Sequence, residues 1–271
     1  VQTCALPIYS VLDSGPWRSF AAKLFAFLAR RRVKVLALVE RGVWRTFPWE
    51  GLVASRSVRL GSKVAIVHLP TLASTGAALG QYREGTLAYV AAPGHAGSAA
   101  LDFGRAAFAA SGNPVQEALG RDDFEHACTR VGAVRLFTHA TYNTVDALLP
   151  DLVLGKTRED EPYHGHEILN MSLGGCRRVE LWACESGVEM DVLGAILGND
   201  EPLGIASCFL LAGAHVVIDS IWKQPAIVAA MIAAAFAAQA RLPGSAGTDA
   251  RALARALAAY RKVVAEEGIF E

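Results

Sequence analysis

Two apolar runs in this chain each lead into a side chain able to do chemistry. Val134-Arg135-Leu136-Phe137-Thr138 precedes His139, and Val179-Glu180-Leu181-Trp182-Ala183 precedes Cys184. A cysteine attacks carbonyl carbon as its thiolate, and an imidazole beside it can take the thiol proton and later return it. The two residues are 45 positions apart, a spacing that fits one strand–loop–helix–strand excursion. Strand ends are where open α/β sheets carry their chemistry, because the carboxyl ends of neighbouring parallel strands open onto one crevice. The alternative for each residue alone is structural: a small buried thiol and a satisfied interior histidine.

The pattern around them supplies the elements to hold such a pair. Trp17, Phe20, Ala21, Leu24, Phe25 and Leu28 recur at helical spacing between Pro16 and Arg31. Strands are expected at Val33 to Val39, Lys63 to Leu69, Thr86 to Val90, before His139, before Cys184 and at Ala214 to Asp219. Asn113-Pro114 and Arg121-Asp122-Asp123 are expected to open two helices, with Asp122 the N-cap of the second. Asp151 to Leu154 reads as short and extended, Gly155 to Gly165 as a polar loop, and Glu167 to Met171 as one or two helical turns. Gly187 to Glu201 reads as a long loop. Further helices are expected at Leu203 to Ala212, stopped by Gly213, at Ala226 to Gln239 and at Asp249 to Glu266. Strands alternating with helices predict an α/β fold with a mostly parallel central sheet covered on both faces.

Composition narrows the function classes. The 271 residues hold 26 Lys+Arg and 26 Asp+Glu, so the formal net charge is zero and the general electrostatics of a nucleic-acid or membrane-surface binder are not expected. The longest apolar stretch, Ala226 to Ala238, is shorter than a bilayer span, and no membrane partner is expected. Cys4, Cys128, Cys176, Cys184 and Cys208 form neither a CxxC pair nor a zinc spacing, which points to reduced thiols in a cytoplasm. No Gly-x-Ser-x-Gly elbow and no phosphate loop occur. His164-Gly165-His166-Glu167 lacks a third ligand nearby and reads as a solvated loop; neither a metal nor an organic cofactor is expected. Trp44, Phe47 and Trp49 read as core packing.

Val1 to Ile8 match the translation of a common sequencing-adapter oligonucleotide and are set aside from fold reasoning. One domain is expected over 9–271, as an N-terminally truncated fragment of a longer chain, with no internal repeat and no interdomain linker.

Four blocks carry a resemblance. Phe137-Thr138-His139-Ala140-Thr141 resembles the histidine block of the CHAT domain family, caspase-like domains often found beside tetratricopeptide repeats. Leu181-Trp182-Ala183-Cys184-Glu185-Ser186-Gly187 is similar to its Ser-Ala-Cys-Glu-Thr-Gly block. Phe209 to Ala214, Val216-Val217 and Ser220-Ile221-Trp222 resemble its third signature, and Pro48-Trp49-Glu50-Gly51-Leu52 an upstream segment. Order and spacing agree from about Val33 to Glu266. The resemblance implies a caspase-like α/β/α sandwich and a bacterial, cytoplasmic cysteine endopeptidase acting on protein or peptide substrates. It implies Cys184 as nucleophile, His139 as general base and acid, and the backbone N–H groups of Ala140 and Cys184 as the oxyanion hole. It also implies control by an upstream sensor or tetratricopeptide-repeat region.

The chain departs from the family pattern at three places. Ala140 stands where the family usually has Gly, a strain if that backbone needs positive φ. Lys223-Gln224-Pro225 replaces an acidic pair after Trp222, and Asp219 occupies an often small position. Asp219, if it points into the cleft, could pair with a basic substrate residue before the cut bond; capping a loop or meeting a nearby Arg is the structural reading, and the more common one. Glu185 and Glu189 are further candidates for that task, and Ser220 and Trp222 for the substrate-side wall. Two other readings stay open: a silent scaffold or interaction domain of the same fold, and an unrelated α/β protein with a chance Cys/His pair.

Overall fold

The computed structural model describes residues 12, 14–39, 44, 47–55, 58–69, 81–91, 98–117, 119–141, 151–154, 162–183, 204–220, 225–240 and 246–267. The chain divides into two compact units, Val1–Leu72 with Ala235–Glu271, and Ala73–Ala234.

In the first unit, helix α1 (Gly15–Arg30) starts with proline in its first turn, where a missing N–H costs nothing. It buries Ala21 and Leu28 against Leu52, Leu60 and Val64. Strands β1 (Val35–Val39) and β4 (Ala65–Leu69) pair in parallel, and between them β2 (Val53–Ser55) and β3 (Val58–Arg59) pair antiparallel. Trp17, Trp44, Phe47 and Trp49 pack edge-on or tilted against one another, so the aromatic set is a packed cluster, although Trp44 keeps 47% of its surface exposed.

The second unit carries a five-stranded, wholly parallel sheet. Its strands are β5 (Thr86–Val90), β6 (Val115–Glu117), β7 (Ala133–Phe137), β11 (Arg178–Trp182) and β12 (Val216–Ile218), in the spatial order β12-β11-β7-β5-β6. β7 and β11 are buried along their whole length, as continuous runs covered on both faces must be.

Strand alternation divides the side chains between two layers of helix. Leu87, Tyr89, Val134, Leu136, Val179 and Leu181 share a core with Phe124 and Cys128 of α3 (Arg121–Arg130), Ile168 of α4 (Gly165–Asn170), and Ile205 and Phe209 of α5 (Ile205–Leu211). On the opposite face, Phe137 meets Phe108 of α2 (Ser98–Ala109) edge-on, and Arg135 reaches the Ala233 carbonyl of α6 (Ala226–Gln239). The expected α/β/α sandwich is therefore present. The last helix, α7 (Ala246–Glu267), buries Ala252 and Ala256 and packs on β4.

A second, small sheet follows β7: β8 (Ala140–Thr141), β9 (Asp151–Val153) and β10 (Pro162–His164), antiparallel in the order β10-β9-β8.

Local expectations fail where ladder pairing outweighs start signals. Asn113-Pro114 opens no helix; Val115 pairs with Ala88 and the segment becomes the edge strand β6. The N-cap of α3 is the extended Gly120, and Asp122 with Asp123 lies in the first turn, where carboxylates favour the positive end of the helix dipole. The polar stretch ending at Gly165 is not all loop, because Pro162–His164 adds a strand to β9. Gly213 ends the helix before β12 with φ of 110°, as a stop signal should. The expected loop at Gly187 to Glu201 lies wholly outside the described residues.

Candidate active site

The parallel pairing of β7 with β11 sets the geometry. Val134 faces Val179, Arg135 faces Glu180, Leu136 faces Leu181, and Phe137 faces Trp182. His139 is two residues past Phe137. Cys184 is two residues past Trp182 in the sequence and lies outside the described residues, as do Glu185, Glu189 and Trp222. Ala183, the last described residue before the cysteine, is 2% exposed.

His139 is half-buried, and the turn around it is clamped by the small sheet. Its carbonyl accepts the Val153 N–H at 2.9 Å, and the Thr138 hydroxyl donates to the Val153 carbonyl. The clamp begins one strand earlier, where the Ala91 N–H donates to the Phe137 carbonyl at 3.0 Å.

Ala140 continues as β8, opposite Leu152, with its methyl packed on the core. Among the described residues Arg32 is the one non-glycine with positive φ, so Ala140 carries no left-handed strain, and the penalty expected for replacing glycine does not arise. The bond from Val153 to His139 makes those two a hydrogen-bonded pair of the antiparallel ladder. Ala140 and Leu152 then form the alternate, non-bonded pair, whose N–H groups point away from the partner strand.

On the other side of β11, Ile218 faces Glu180. By that count Asp219 is level with Leu181 and Ser220 with Trp182. Asp219 is exposed and Ser220 half-buried. Because β7, β11 and β12 are parallel, His139, Asp219 and Ser220 all follow the carboxyl ends of the sheet.

Beneath this end lies a buried charge cluster. The Arg135 Nε donates to Glu180 Oε2 at 2.9 Å, with side chains 3% and 0% exposed. The Trp182 indole N–H donates to the same oxygen at 3.1 Å, and Arg178 Nε sits 3.0 Å from the other. In the sequence both runs read as apolar, and the buried charges within them stand out only once the strands pair. A signal was present: Arg135 and Glu180 each stand four residues before the candidate base and nucleophile, with opposite sign.

His164-Gly165-His166-Glu167 is a helix start, not a solvated loop. The His164 N–H donates to the Glu167 carboxylate at 2.9 Å, its Nδ1 lies 2.6 Å from Asp151 Oδ1, and its ring stacks on His166. Among the described residues no cluster of three or more His, Cys, Asp or Glu is arranged to hold a metal ion.

The described thiols, Cys128, Cys176 and Cys208, are buried and in no disulfide. Burial pushes Cys176 from an ordinary 9.0 up to about 11 and raises Cys128 well above that ordinary value, so neither of these two is a thiolate at neutral pH.

A parallel sheet with helices on both faces and a histidine just past its central strand is the frame of a caspase-like α/β protein. The CHAT domain family model matches residues 17–266, nearly the whole chain. The chain belongs to the CHAT domain family, a caspase-like, peptidase-related family. No curated protein matches it. Among the described residues, no helix is long and apolar enough to cross a membrane.

Proposed function

We propose that the protein is a cysteine endopeptidase in which Cys184 and His139 form the catalytic dyad. One observation carries the reading: Phe137 and Trp182 face each other in register, and the histidine and the cysteine each follow by two residues. Level positions on adjacent parallel strands are about 5 Å apart, within reach of an imidazole and a thiol.

The chemistry follows from the two groups. The His139 imidazole takes the Cys184 proton, and the thiolate attacks a peptide carbonyl, forming the C–S bond. The oxyanion is met by the backbone N–H of Ala140, directed away from β9, and by that of Cys184. His139 then protonates the departing amine as the C–N bond breaks. Water, deprotonated by His139, hydrolyses the thioester, releasing the new carboxyl end and restoring the thiol. Neither a metal nor a cofactor enters the cycle.

Asp219 and Ser220 belong to the substrate side, and Glu185 and Trp222 are further candidates for the same task. A carboxylate at position 219 favours Arg or Lys before the cut bond. The buried free thiols suit a reducing, cytoplasmic compartment. An upstream sensor or tetratricopeptide-repeat region, where one accompanies the domain, is the proposed source of control.

The test is a peptide library digested with the native chain and read by mass spectrometry. Cleavage that disappears in both Cys184→Ala and His139→Ala, with Arg or Lys enriched before the cut and that enrichment lost in Asp219→Asn, is the expected result. Cleavage that survives in Cys184→Ala rejects the assignment.

A further inference from the structure

We propose that Arg135 and Glu180 are a positioning pair: their buried charges lock the register of β7 against β11, and so bring His139 and Cys184 level. The proposal rests on the dyad reading and adds the device that sets its geometry.

Strand pairing needs such a device. Sliding β11 by one residue would flip its side chains to the other face, and sliding it by two would keep the faces but displace the cysteine by about 7 Å. Val134 opposite Val179, Leu136 opposite Leu181 and Phe137 opposite Trp182 tolerate such a slide, because one apolar pair is much like another. Arg135 opposite Glu180 does not tolerate it. Any slide carries Glu180 away with its own-strand neighbours Arg178 and Trp182 and leaves the 3% exposed Arg135 side chain without its anion, and an uncompensated interior charge is far more costly than a mismatched apolar contact. Among the described pairs of this ladder it is the one that joins opposite charges.

The lock is tied to both its surroundings and the site. The Arg135 guanidinium lies 4.5 Å from the Phe108 ring centroid, donates to the Ser111 hydroxyl and reaches the Ala233 carbonyl at 3.5 Å, so helices on that face hold it. Glu180 takes the indole N–H of Trp182, two residues before Cys184. Alternation puts Arg135 on the face of Phe137 and Glu180 on the face of Trp182, the last paired residues of the two strands. A buried ion pair adds little net stability over an apolar pair of equal volume. Its worth here is in specifying one alignment.

The experiment measures alkylation of Cys184 by iodoacetamide as a function of pH in the full chain, by mass of the peptide containing it, alongside thermal unfolding. Arg135→Met keeps an unbranched apolar stem, removes the guanidinium and leaves Glu180 with Arg178 and Trp182. The wild type is expected to alkylate with a midpoint below that of a free thiol, moved upward by His139→Ala. Folded Arg135→Met is expected to show a midpoint raised by roughly one pH unit or more and indifferent to His139→Ala. Arg135→Lys, which keeps the charge, is expected to restore the low midpoint. Should Arg135→Met fail to fold, Glu180→Gln, of the same shape, replaces it with the same expectation.

A wild-type midpoint that ignores His139→Ala overturns the dyad, and the positioning role with it. A His139-dependent wild type whose midpoint is unchanged in the folded Arg135→Met or Glu180→Gln variant overturns the positioning role alone.

Discussion

Phe137 and Trp182 face each other as the last paired residues of β7 and β11. The chain leaves β7 through Thr138 into a turn clamped by Val153, and it leaves β11 through the buried Ala183. The proposed site thus follows the end of this ladder, and changes that disturb the ladder are expected to disturb it.

Gly104 shows how little room the ladder has. A Cβ added there would lie 2.5 Å from Phe137 Cδ1 and 2.6 Å from Cγ, closer than real contacts allow. Gly104→Ala is therefore expected to destabilise the protein by about 1–3 kcal/mol, as overpacking does, net of any gain in helix propensity. It should also lower kcat more than it raises KM, since Phe137 is two residues from His139. Urea unfolding and steady-state kinetics on a cleaved peptide check both.

Ala140 yields the opposite of what the family pattern suggests. Its backbone is extended and its methyl packs on the core, so restoring the usual glycine relieves nothing. Ala140→Gly is expected to cost about 0.5–1 kcal/mol through backbone entropy and to leave kcat unchanged. A gain in kcat would show that the oxyanion donor needs a conformation this strand does not provide.

The buried thiols make stability fall in alkali. Cys176 ionises at about 11 in the fold against an ordinary 9.0, and Cys128 is likewise raised by burial. Between those values the unfolded chain has lost protons that the folded chain retains, so stability drops as pH rises through the window and is complete below it. For Cys176 the loss is about 2–3 kcal/mol. Urea midpoints should decline over that range in the native chain and decline less in Cys176→Ala.

The parts of this architecture legible in the sequence are those set by local pattern. β7 and β11 stand out as apolar runs because both faces of a central parallel strand are covered, and α6 matches its expected bounds because nothing in Ala226–Gln239 opposes a helix. The residues after each run drew attention to His139 and Cys184 for the same reason. Register was not legible: it is a relation between strands 45 residues apart, and its marker, one buried cation against one buried anion, looks in either run like a surface charge.

The small sheet is not legible in the sequence because strands of two or three residues carry no periodicity and exist through pairing with one another. Strand β6 is not legible because Asn-Pro signals a helix start as readily as a strand start, and only its neighbour β5 decides.

Cross-linking reads the distance between positions 139 and 184. Two cysteines form a disulfide only when their Cα atoms are within about 7 Å. In a His139→Cys variant under mild oxidation, the account predicts a bond between positions 139 and 184, found by mass spectrometry of the digested protein, with the buried Cys128, Cys176 and Cys208 left reduced. Both thiols remaining free and open to alkylation under the same oxidation would contradict it.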